Sequence, residues 1–134
     1  MKKTLGVSWE QALEAVPAAL KTEGFGVLTR IDVQATLKEK LGVDFRRYLI
    51  LGACNPTYAH QALKLRLDVG LMLPCNVVLH EGDDGKSVEL SVIDPMQTMA
   101  STLGESFVAL AGEVRTKLAR VMAALPSPSG KALK

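Results

Sequence analysis

An α+β fold, with helices packed on a mixed or antiparallel sheet of about five strands, is predicted by three features of the sequence. Strand-like and helix-like stretches alternate from Thr4 to Asp94. Two apolar stretches are joined by Gly82-Asp83-Asp84-Gly85, whose Asp-Gly step marks a hairpin turn. A hairpin makes an antiparallel pair, which argues against a doubly wound parallel sheet. The length of 134 residues suits one domain with one core.

The elements follow in order. Thr4 to Val7 is a short strand candidate, and Ser8 with Gln11 forms a capping box that starts a helix. Trp9, Leu13, Val16 and Leu20 lie on one face of that helix. Pro17 falls inside it and predicts a kink or a break, because an interior proline costs about 3 kcal/mol. Gly24 to Ile31 reads as a second strand, after which Asp32 caps a helix from Val33 to Leu41 that stops at Gly42.

Tyr48 to Ala53 is almost wholly apolar, as expected of a strand covered on both faces at the centre of the sheet. Asn55-Pro56 then supplies a cap and a first-turn proline for a helix reaching Arg66 or Leu67. Cys75 to Glu81 and Lys86 to Ile93 are the hairpin strands, and Asp94-Pro95 opens a C-terminal helical region. There Phe107, Leu110, Ala111, Val114, Leu118, Val121, Met122 and Leu125 share a face that reads as wider than one core needs. The domain is expected to span residues 5–125, and Pro126 to Lys134 to form a flexible tail rich in Pro, Ser and Gly.

Composition excludes several functions. The formal net charge is only +2, the halves divided at Leu67 carry +4 and −2, and the main basic group is Arg46-Arg47. Without a basic stripe, and with aromatics at 4%, neither phosphate neutralisation nor base stacking has material, so no nucleic-acid partner is expected. No apolar run approaches the roughly 20 residues needed to cross a bilayer. The opening residues lack the apolar segment of a signal peptide, so the chain reads as cytoplasmic with no membrane partner.

Two cysteines make at most one disulfide, and neither stands in a Cys-x-x-Cys pair. They do mark the most informative pattern in the chain. Cys54-Asn55 and Cys75-Asn76 are both Cys-Asn steps beside chain reversals, one ending a strand and the other starting one. If those strands are neighbours the steps come together, with Asp94 as a third member.

Cys54 immediately precedes a helix N-terminus, where unpaired N–H groups and the helix dipole favour a thiolate. Equally, Cys54 can be a small buried apolar residue and Asn55 only a cap. Cys75 alternates with Val77 and Leu79 and suits packing with them. His60 is placed to complete a Cys-His pair or a metal site with the two thiols, but more than a turn into its helix it points along the flank. No metal site is therefore read, and His80 is expected to be a solvated edge residue. No phosphate loop, nucleophile elbow or His-Glu-x-x-His helix is present, and no motif specifies a cofactor.

Several short strings in order resemble the domain of unknown function 302 family. They are Phe25-Gly26-Val27-Leu28, the run from Thr36 to Gly42, Cys54-Asn55-Pro56 with Ala59, the run from Gly70 to Val78, and Ile93-Asp94-Pro95. The resemblance covers about residues 5–100 and weakens after Met99. It implies a small dimeric α+β domain of the TATA-binding-protein-like group and supplies no activity. The expected function is a homodimeric module that binds a small ligand at Cys54, Asn55, Cys75, Asn76 and Asp94. The alternative is a thiol-dependent enzyme or a sulfur or redox carrier, with Cys54 as nucleophile and Cys75 as resolving partner.

Overall fold

The computed structural model describes residues 1–128. Its strands are β1 (Lys2–Leu5), β2 (Gly26–Asp32), β3 (Tyr48–Cys54), β4 (Cys75–Glu81) and β5 (Val88–Val92). Its α-helices are α1 (Trp9–Thr22), α2 (Val33–Leu41), α3 (Pro56–Leu65), α4 (Ser101–Leu103) and α5 (Val108–Ala124). A 3-10 segment, Leu67–Met72, follows α3, and a π-helical turn, Met96–Ala100, runs into α4.

Local chemistry sets most boundaries. Ser8 Oγ accepts from the Gln11 amide at 3.1 Å, and Gln11 Oε1 accepts from the Ser8 amide at 2.9 Å, closing the predicted capping box. Asp32 Oδ1 accepts from the Ala35 amide, and Gly42 ends α2 at φ +68°, a conformation open to glycine. The hairpin turn is organised by Asp84, whose carboxylate accepts from the Ser87 and Lys86 amides. Those bonds, with the Ser87 hydroxyl, hold its carboxyl below the usual range.

Pro17 neither breaks α1 into two helices nor ends it: α1 is one element from Trp9 to Thr22. Ala12 and Val16 before the proline and Leu20 after it are all buried, so packing on both sides holds the helix continuous against the lost hydrogen bond.

The sheet is antiparallel throughout, in the order β1-β5-β4-β3-β2. The central strand is therefore β4. The apolar stretch in β3 sits next to edge strand β2 and is not covered on both faces, since Tyr48 and Ile50 remain half-buried. One face carries the core, made by Leu5, Leu49, Leu51, Ala53, Cys75, Val77, Leu79, Val88, Leu90 and Val92 against α1 and α5. By the period of two, the other face carries Ile31, Ile50, Val78 and Ser91 in one cross-strand row. His80 is also there. It belongs to the central strand rather than an edge, and stacks on Tyr48 with ring centroids 5.5 Å apart.

The apolar face of α5 is not in surplus. Phe107 and all seven of its companions to Leu125 are buried within this one chain, some against the sheet and some in a second cluster with Ala62, Val69 and Met99. Lys3 completes the end of α5. It reaches from β1 so that Nζ donates to the Met122 and Leu125 carbonyls at 2.8 and 2.5 Å, a cation on the negative end of the helix. Beyond α5, the Gly6 amide donates to the Pro126 carbonyl at 2.8 Å, and Ser127 and Pro128 lie where a Cβ on Gly6 would stand. Residues 129–134 of the expected tail lie outside the described residues.

Candidate functional site

The pairing of β3 with β4 sets Ala53 opposite Cys75, so the two Cys-Asn steps are neighbours as their chain reversals suggest. Cys75 points inward with Val77 and Leu79. Cys54, the last residue of β3, is half-buried where the chain turns into α3. Both cysteines are free, and both line one cavity of about 30 Å³ between the sheet, α3 and α5. Phe25, Ala53, Ala62, Leu73, Met99, Leu110 and Val114 supply most of its remaining wall, which is almost wholly apolar.

The size and electrostatics of this cavity constrain its occupant. A volume of that order holds roughly two water molecules, or a ligand tip of a few atoms. Burial pushes the Cys75 thiol up from an ordinary 9.0 to about 11, and the neighbouring Cys54 adds to the shift, so Cys75 is a neutral thiol at pH 7.

Asn55 and Tyr58 border both this cavity and a broad surface depression formed with Glu23, Gly24, Glu113 and Lys117. Asn55 is not a side-chain cap. Its Nδ2 donates to the Glu23 carbonyl at 3.2 Å, tying the start of α3 to the end of α1. Tyr58 Oη donates to Glu113 at 3.4 Å, and desolvation together with that carboxylate raises the phenol above its ordinary value.

The other two candidates lie elsewhere. Asn76 is exposed on the opposite face of β4, since neighbours on a strand alternate sides. Asp94 closes the turn after β5: Oδ1 accepts from the Met96 amide at 3.0 Å and Oδ2 from Arg115 Nε at 3.0 Å. Asn76 and Asp94 share a shallow groove with Lys2, Ser91 and Gln97, apart from the thiols. His60 is exposed and outside the cavity wall.

The apolar wall residues Phe25, Leu73 and Met99 carried no chemical signal in the sequence. The spacing of Leu110 and Val114 placed them on a buried helix face, without showing what that face covers. Arg46 and Arg47, the main basic group, are engaged internally. Arg46 bonds Asp83 at 2.9 Å, and Arg47 bonds Glu10 at 3.2 Å and lies over the Trp9 ring. Among the described residues no three His, Cys, Asp or Glu side chains gather as a metal site, and no helix is long and apolar enough to cross a membrane.

These features define a small α+β domain with a helix-covered antiparallel sheet and a thiol-lined cavity at one end of β3 and β4. A sequence model described as Domain of unknown function DUF302 matches residues 1–125, and the chain belongs to that family. The match includes α5, so the last helix is part of the family pattern. The chain is similar to the uncharacterized conserved DUF302 protein from Bacillus stearothermophilus, seen in a crystal structure, at 28% identity and a TM-score of 0.83. The likeness covers 92% of this chain and 94% of that one. No curated protein matches the chain.

Proposed function

We propose that this DUF302 domain is a homodimeric binding module whose cavity at Cys54, Asn55 and Cys75 takes the apolar tip of a small ligand. The observation that carries this reading is the continuity of two surfaces. The apolar cavity and the polar depression beside Glu23, Glu113 and Lys117 share Asn55 and Tyr58 as a rim. A ligand with a short apolar end and a polar head matches both at once. Asn76 and Asp94 are left to a separate groove and take no part.

The dimer reading draws support from edge strand β2. All seven of its residues are exposed, and Leu28 and Ile31 are 68% and 48% accessible. An open edge with apolar side chains is suited to a second copy of the chain. The alternative, a thiol enzyme with Cys75 as resolving partner, is less well supported because burial keeps that thiol protonated at neutral pH.

Short alkanols and alkyl ethers test the pocket. Titrated into the protein, they are expected to shift the Met99 methyl resonance and slow alkylation of Cys54. An Ala59→Leu variant, which fills the wall, abolishes both effects. A Met99 resonance that stays fixed across the series overturns the reading.

A further inference from the structure

The cavity wall holds three sulfur-bearing side chains from three separate parts of the fold: Cys54 at the end of β3, Cys75 at the start of β4, and Met99 in the π-helical turn after β5. From this juxtaposition we infer that the cavity is a site for one soft monovalent metal ion of the Cu(I) class, held by two thiolates and a thioether. The inference goes beyond the pocket reading: the ion and an apolar ligand tip are alternative occupants of the same space.

Three observations favour this occupant. Thiolate and thioether sulfurs are soft donors that select Cu(I) over the harder divalent ions, and the wall offers no carboxylate or imidazole to compete. The cavity, about 30 Å³, is of the order of one or two water molecules, a scale suited to a single ion. Finally, the charge is accommodated. Two thiolates and one Cu(I) carry a net −1, and Cys54 stands next to Asn55, the N-cap residue of α3, whose positive end has no side-chain cap hydrogen bond.

The binding step balances simply. Cu(I) enters from a carrier or chelator, bonds form to Cys54 Sγ, Cys75 Sγ and Met99 Sδ, and the two thiol protons leave to solvent with no change of oxidation state. Affinity therefore rises with pH, because the thiols must lose their protons to bind.

Anaerobic competition of the whole protein against bicinchoninate for Cu(I) tests this at pH 7. One ion per chain is expected. Cys54→Ser should weaken binding by about 100-fold or more, and the nearly isosteric Met99→Leu by about tenfold with an unchanged circular dichroism spectrum. Wild-type protein that competes no better than Cys54→Ser, or a Met99→Leu affinity equal to wild type, overturns the inference. If alkanols shift the Met99 methyl while Cu(I) fails in this way, the pocket reading stands and only the metal falls. If both fail, both fall.

Discussion

Asp94 and Arg115 join the end of β5 to the exposed side of α5, with Arg115 Nε 3.0 Å from Oδ2 of an aspartate side chain that is only 13% accessible. The same carboxylate accepts from the Met96 amide, so it fixes the turn that delivers Met99 to the cavity wall. Asp94→Ala is expected to cost about 1–2 kcal/mol in urea denaturation, mostly through the turn hydrogen bond. Arg115→Ala should cost less than about 1 kcal/mol, since that side chain is half exposed. Asp94→Asn should leave the alkanol-induced Met99 shift in place; loss of that shift in a fully folded Asp94→Asn protein would return Asp94 to the binding site.

Cys75 gives the fold a defined response to alkali. Its folded pKa, about 11, lies above the ordinary 9.0, so the native state holds the proton more tightly than the unfolded chain. The contribution is complete below pH 9 and is lost as pH rises from about 9 to about 11. Its size is about 3 kcal/mol. Comparing wild type with Cys75→Ala isolates it from the other groups that titrate there. The stability gap between them should narrow over this window, and a constant gap would contradict the buried-thiol assignment.

The edge of the sheet gives a test of self-association. Leu28 and Ile31 are exposed on β2, so Leu28→Lys combined with Ile31→Lys should remove little intramolecular packing. Light scattering is expected to show a dimer for wild type and a monomer for the double variant, with less than about 1 kcal/mol lost per monomer. A wild-type monomer at tens of micromolar would sink the dimer.

Pro17 offers a gain. With α1 continuous, Pro17→Ala supplies an amide to the Leu13 carbonyl and should stabilise the protein by about 1–3 kcal/mol, seen as a higher Tm. A lower Tm would mean that the proline's ring packing outweighs its missing donor.

Local order was legible wherever a few neighbouring residues decide it. Asp32 and Gly42 bound α2 as their chemistry requires, and Ser8 with Gln11 starts α1. What escaped was long-range. The apolar residues of β3 suggest the sheet centre, but strand order follows from how the chain crosses the helices, and it puts β4 there. The same limit applies to the site. The cysteines could be paired from their positions beside reversals, but Met99 and Phe25 join them only through the tertiary path of the turn after β5 and the start of β2. Asn76 was separable in principle, because a Cys-Asn step inside a strand must send its two side chains to opposite faces.

The contacts of Lys3 also impose a timetable on biosynthesis. Its partners, Met122 and Leu125, leave the ribosome more than a hundred residues later, and among the described residues β1 pairs only with β5. The first strand therefore waits, unpaired, until Val88–Val92 has emerged. The core cannot close around Leu5 until the last helix has emerged, so a nascent chain stalled near Met99 should remain sensitive to protease and should engage chaperones that bind exposed apolar segments.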